Sequence, residues 1–151
     1  MKKETILSLI FTIITLTGCS VLNSNNQDHI LFELERTGCY GTCPVYELKV
    51  YTSGKAVLEG KKHMDKIGIF KAKLDQKNLE QLINDFESAS FFELENSYRS
   101  QFKDLPTKYI TYHKNGKSKQ IMAYDNIPEN LQMLIDELDK LVNELEWNKI
   151  E

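Results

Sequence analysis

The sequence predicts an α+β domain, a mostly antiparallel sheet with two amphipathic helices packed on one face. Runs of alternating apolar and polar residues recur from His29 onward, and the pairs Ser53-Gly54 and Asn115-Gly116 join them as tight turns. Leu79, Leu82, Ile83 and Phe86 fall at the i, i+3, i+4, i+7 spacing of a helix with one apolar face. Leu131, Leu134, Ile135, Leu138, Leu141, Val142 and Leu145 form a longer stripe of the same kind, read as core packing. Each half is a hairpin followed by a helix, a loose ββα–ββα repeat.

Residues 29–37 set Ile30, Phe32 and Leu34 on one side and Glu33 and Glu35 on the other, the period of a half-buried strand. Residues 45–52 alternate again, with Tyr46, Leu48 and Val50 against Glu47, Lys49 and Tyr51. Ser53-Gly54 returns the chain into residues 55–61, so these two strands form a hairpin. Residues 68–74 are a short fourth strand. Asp75 caps the first helix, its carboxylate accepting from first-turn amides that have no partner within the helix. Residues 89–104 show no period, and their Phe91, Phe92, Leu94 and Tyr98 are expected to cover an edge of the core. Residues 107–113 and 117–124 make the second hairpin, because both residues of Asn115-Gly116 tolerate positive φ. Asn126 and Pro128 open the last helix, with proline where its missing N–H costs nothing, and Trp147 closes the stripe.

The chain begins with Lys2 and Lys3, then an apolar run over residues 6–17, then Leu16-Thr17-Gly18-Cys19. A basic start, a short hydrophobic region and small residues at the cut make residues 1–18 a secretory signal. The run is about 12 residues, short of the roughly 20 that cross a bilayer. Its end resembles the lipobox of bacterial lipoproteins, in which the cysteine is diacylated and becomes the first residue of the mature chain. That resemblance implies Cys19 as a lipid anchor, and each buried methylene of its acyl chains contributes about 0.8 kcal/mol. Residues 19–28 are polar and aperiodic, a lipidated N-terminus and flexible tether, and residues 29–151 remain as a single domain. By resemblance to enterobacterial lipoproteins, Ser20 favours an outer-membrane protein facing the periplasm over an inner-membrane one.

The chain holds 19 basic and 22 acidic residues for a net charge of −3. So mild a balance argues against nucleic acid as the partner. No zinc-ribbon, phosphate-loop or dinucleotide fingerprint occurs. The charge is unevenly placed: residues 55–73 hold six lysines against Glu59 and Asp65, and residues 128–147 hold six acids against Lys140. Two solvated faces of opposite sign would give this pattern, and so would a docking surface for a partner or for lipid headgroups.

Cys39-Tyr40-Gly41-Thr42-Cys43-Pro44 joins the first two strands. In an oxidising compartment Cys39 and Cys43 are expected to close a disulfide loop. Gly38 and Gly41 let the backbone bend, and Pro44 fixes φ as the next strand starts. Chain entropy makes so short a loop worth about 2 kcal/mol. A labile redox pair is a second reading, although such pairs more naturally have two intervening residues within a βαβ unit. The segment is also similar to the metal site of the copper chaperones that serve cytochrome oxidase. Thiolates suit Cu(I), and His63 or His113 would supply a third ligand. Those chaperones carry the motif in a thioredoxin fold, which the strand pattern here does not predict. His29, His63 and His113 fall at loops and strand ends, where exposure to solvent is ordinary, and no Ser-His-Asp order suggests itself. No catalytic residue, resident metal or cofactor is expected. Tyr46, Tyr51, Tyr109, Tyr112 and Tyr124 fall in predicted strands, which favour aromatics, and some of them would serve as a stacking platform for a sugar or peptide.

Glu35-Arg36-Thr37-Gly38-Cys39-Tyr40-Gly41-Thr42-Cys43-Pro44-Val45-Tyr46, followed by a hairpin and Glu59-Gly60, resembles the opening signature of an uncharacterised bacterial family, domain of unknown function 6438. Members of that family are commonly small lipoproteins. The resemblance implies a single secreted domain with Cys39 and Cys43 as its defining pair, and it brings no activity. The expected function is therefore a membrane-anchored, non-catalytic binding or structural domain of the cell envelope, with an envelope protein or a peptide or glycan ligand as partner. The alternative is a periplasmic copper-binding or thiol redox protein built on Cys39 and Cys43.

Overall fold

In the computed structural model, residues 27–101 and 105–150 are described; the predicted signal, Cys19 and most of the tether lie outside the described residues. In chain order the elements are β1 (Ile30–Arg36), β2 (Val45–Tyr51), β3 (Lys55–Lys62), β4 (Gly68–Lys73), α1 (Gln76–Ser88), a 3-10 turn (Phe91–Glu93), β5 (Ser97–Tyr98), β6 (Lys108–Lys114), β7 (Lys117–Ala123), α2 (Glu129–Glu144) and β8 (Asn148–Lys149). The strands form one eight-stranded sheet in the order β5-β7-β6-β1-β2-β3-β4-β8. Every neighbouring pair is antiparallel except β5 and β7.

β1 lies inside the sheet because its alternation suits a strand with one apolar and one polar face. Phe32 and Leu34 are buried, while Glu33 and Glu35 point the other way. Leu48 and Val50 of β2, Leu58 of β3, Ile110 and Tyr112 of β6 and Ile121 of β7 share the buried face. The second hairpin turns as its residues require, with Asn115 at φ 51° and Gly116 at φ 74° matching the twist of the flanking strands.

Asp75 caps α1, its Oδ1 accepting from the Asn78 N–H at 2.9 Å. Pro128 is the N-cap of α2, and its carbonyl accepts from the Gln132 N–H at 3.0 Å. Leu79, Leu82 and Phe86 of α1 and Leu131, Leu134, Ile135, Leu138 and Val142 of α2 join the inward strand residues in one hydrophobic cluster. Phe86 is its aromatic hub. Its ring centroid lies 4.4 Å from that of Phe32 and 5.1 Å from those of Phe91 and Tyr112. Each such pair adds about 0.5–1.5 kcal/mol beyond its buried area.

The structure departs from expectation between residues 89 and 101 and at the C-terminus. Phe91 belongs to the centre of the core and not to an edge cover: it is 1 % exposed, carried there by the 3-10 turn behind a left-handed Ser90. Ser97 and Tyr98 form β5, with the Met122 N–H donating to the Asn96 carbonyl and the Tyr124 N–H to the Tyr98 carbonyl, both at 3.0 Å. β8 returns beside β4, pairing at Phe70 and Lys71. Strands of two residues carry no alternation, so only their pairing defines them. β4 stands between the first hairpin and α1, whereas α2 follows β7 with no strand between.

Candidate functional site beside the disulfide loop

Cys39 and Cys43 are joined in a disulfide with their Cα atoms 5.7 Å apart. The loop buries little, since Gly38, Tyr40, Gly41, Thr42 and Pro44 are all exposed. Tyr40 is 93 % exposed. The Gly41 N–H turns inward on the loop itself and donates to Cys39 Sγ at 3.3 Å. The disulfide therefore sets the shape of a surface loop and presents an aromatic ring to solvent.

Pro44 also lines a cleft of about 590 Å³. One wall comes from the sheet end, through Arg36 and Tyr46, another from the β3–β4 connection, through His63 and Lys66, and a third from α2, through Asp139 and Asn143. Arg36 and Tyr46 are register partners in β1 and β2, and Lys108 of β6 pairs with Arg36 on the other side. These residues continue the inward phase of their strands past the last apolar side chain. α2 supplies the counter-charge there. Arg36 Nε donates to Asp139 Oδ1 at 2.8 Å, Arg36 Nη2 donates to Oδ2, and the Tyr46 hydroxyl donates to Oδ1.

The Arg36 and Asp139 side chains are 20 % and 18 % exposed. Burial opposes the Arg36 charge, but the adjacent Asp139 carboxylate outweighs it and holds the guanidinium above its ordinary range. Burial, with Asp139 alongside, pushes the Tyr46 hydroxyl well above a normal phenol. Lys108 is shifted down by burial and by the Arg36 charge. A guanidinium has five N–H groups in a fixed fork. Those not engaged by Asp139 or Tyr46 remain for a carbonyl, carboxylate or hydroxyl entering the cleft that Arg36 lines.

Gly60 shapes the opposite wall. A Cβ at this position would lie 1.7 Å from the Lys66 carbonyl oxygen, so only glycine lets the β3–β4 connection lie on the sheet. His63 adopts φ 54° within that connection, a left-handed conformation that few non-glycine residues adopt and that asparagine, aspartate and histidine adopt most readily among them.

Of the residues singled out from sequence, Gly38, Gly41 and Pro44 accompany the cysteine pair, and His63 reaches the adjoining cleft. His113 does not. Its Nε2 lies 2.8 Å from Glu33 Oε1, on the polar face, and it stands five residues along β6 from Lys108, roughly 17 Å of strand from the loop end of the sheet. Cys39, Cys43, His63 and His113 thus do not converge, and among the described residues no three His, Cys, Asp or Glu side chains are placed to hold a metal ion. The strand tyrosines do not form one platform either. Tyr46 and Tyr112 are buried, Tyr51 lies under Lys55 Nζ at 3.8 Å from its ring centroid, and Tyr124 accepts from the Leu105 N–H at 3.1 Å.

The family profile described as Domain of unknown function (DUF6438) matches residues 30–142. The chain belongs to that family. The DUF6438 match begins at the start of β1 and ends at Val142 of α2, so it takes in the disulfide loop and the named cleft residues except Asn143. No curated protein and no solved structure gives a significant match to the chain. Sequence reasoning missed Arg36 and Asp139, each of which is a charge set in an inward phase.

Proposed function

We propose that this DUF6438 chain is a membrane-anchored lipoprotein whose domain binds a partner in the bacterial envelope, without catalysing a reaction, through the Tyr40 loop and the adjoining cleft. The observation that carries this reading is Tyr40, 93 % exposed on a loop closed by the Cys39–Cys43 disulfide. An exposed aromatic costs hydration unless something covers it, and tyrosine is among the commonest residues to dominate an interface. A covalently closed loop has also lost most of its freedom before binding, so less is lost on association.

Arg36, His63 and Asn143 offer hydrogen bonds in the cleft beside it, a chemistry suited to a peptide or a glycan. The Leu16-Thr17-Gly18-Cys19 motif supports anchoring through Cys19, and Ser20 supports the outer membrane facing the periplasm. Residues 29–151 act as one domain in this proposal, with both helices on one face of the sheet and a ββα duplication. The shared core cluster and the two tight hairpins support that arrangement.

The test is a photo-crosslinking residue placed at Tyr40, at Asn143, or at Tyr109 on the polar face, in cells producing the full chain. A defined adduct at the first two positions and none at the third is expected. Turnover of an envelope substrate that disappears on replacing Arg36 or Asp139 would overturn the non-catalytic reading. A cysteine pair found reduced in cells and taking up Cu(I) stoichiometrically would move the function to the thiols.

A further inference from the structure

The seam between α1 and α2 carries a second surface that uses neither Tyr40 nor the cleft. The two helices run side by side in opposite directions, with Asn130 Nδ2 donating to the Ala89 carbonyl at 3.1 Å near one end and Leu74 and Leu145 lining the other. Cavities of about 240 Å³ and about 360 Å³ lie along the seam, and Asp85 and Glu137 line both, which makes them one groove. Leu82, Leu134 and Leu141 give it an apolar floor. Met133 stands in it 61 % exposed, a flexible and polarisable side chain suited to variable apolar contact.

The rim is acidic. Asp85, Glu137 and Glu144 line the groove against a single cation, Lys140, and among the described residues none of these three acids shares an ion pair. We infer that this groove docks a cationic amphipathic helix from a partner protein. Charge complementarity sets the sign: lysines or arginines flanking an apolar stripe would meet Asp85, Glu137 and Glu144 while the stripe covers Met133 and the leucine floor.

Backbone chemistry favours a helix over an extended segment. The groove walls are helices whose own amides and carbonyls are spoken for, so an added strand would find no ladder to join, whereas a helix satisfies its backbone internally. The seam from Asn78 to Ala89 is about 16 Å long at helical rise, room for roughly three turns. Two-fold pairing with a second copy would set identical acidic rims against each other. An anionic lipid surface would be repelled for the same reason.

The test uses the full chain in nanodiscs of zwitterionic lipid. The probe is a fluorescein-labelled synthetic 14-residue peptide with leucines at helical i, i+3, i+4, i+7 spacing and lysines flanking them, read by anisotropy. Saturable one-to-one binding is expected, weakened at least tenfold by Met133→Glu and by the pair Asp85→Asn with Glu137→Gln, and unchanged by Tyr40→Ala. A peptide of the same composition with its leucines out of helical phase should bind at least tenfold more weakly. All nanodiscs carry the same lipid, so its contribution cancels between protein variants, and protein-free nanodiscs give the lipid contribution to subtract for each peptide. Equal binding of the out-of-phase peptide, or undiminished binding to Met133→Glu, overturns the proposal. So does a wild-type dimer that Met133→Glu converts to a monomer, since a second copy would then be the occupant.

Discussion

Asp139→Ala removes the acceptor that serves both the Arg36 guanidinium and the Tyr46 hydroxyl. Both donors would then stay in a site where water reaches little of either partner, the pair being 20 % and 18 % exposed. Exposed ion pairs are worth about 0–1 kcal/mol, and breaking a fully buried one from one side costs about 3–5 kcal/mol. This pair lies between, and a hydrogen bond to a charged group contributes about 1.5–3 kcal/mol, so Asp139→Ala should cost about 2–3 kcal/mol. Arg36→Met should cost about 2 kcal/mol, because Tyr46 still donates to the carboxylate left behind. The double variant removes charge and counter-charge together and should lose about 1.5 kcal/mol less than the two single losses combined. Urea titration followed by the fluorescence of Trp147 reads this directly. Trp147 is the chain's one tryptophan, and its indole N–H donates to the Val142 carbonyl at 3.0 Å, one turn from Asp139. Losses that add to within about 0.5 kcal/mol would refute coupling through the carboxylate.

Cys39→Ser with Cys43→Ser should cost about 2 kcal/mol or less and leave the far-ultraviolet circular dichroism unchanged, because the closed loop is short and buries little. Gly60→Ala should cost about 3 kcal/mol in the same urea assay, its Cβ meeting the Lys66 carbonyl oxygen at 1.7 Å, whereas Gly38→Ala, with Val45 Cγ2 at 3.7 Å, should be nearly neutral. Burial and an adjacent carboxylate raise both Tyr46 and Tyr112, so the fold holds each neutral. That stabilisation is whole below the unfolded tyrosine value of about pH 10 and is lost as pH rises through the folded values. Stability measured between about pH 8 and about pH 12 should fall, and Tyr46→Phe should flatten the fall; a wild-type curve level to the top of the range would count against the assignment.

The central strands were legible because each has one wet and one dry face, and the helices because Leu79 to Phe86 and Leu131 to Leu145 keep a helical period. β5 and β8 were not, since two residues have no period and owe their conformation to partners far along the chain. Phe91 was misplaced for a related reason: its burial depends on a left-handed Ser90, which no hydrophobic spacing reports. The Arg36–Asp139 pair did leave a signal. Arg36 falls in phase with Phe32 and Leu34, and Asp139 sits four residues after Ile135 and three before Val142, on the rim of the α2 stripe. Two opposite charges on inward phases of different elements have good reason to meet, because neither is stable there alone. Tyr40 was visible in the sequence only as part of a cysteine motif. Its isolation in solvent needed the three-dimensional path of the loop.

The most direct test of the loop as a pre-shaped binding element compares the yield of the Tyr40 photo-adduct in cells producing the wild-type chain and the Cys39→Ser, Cys43→Ser pair at equal folded protein. Opening the loop returns freedom to a few backbone residues, each worth roughly 1 kcal/mol of entropy, so the adduct should fall at least about tenfold while the domain stays folded. An undiminished adduct from the opened loop would contradict the claim that the disulfide exists to hold Tyr40 ready for a partner.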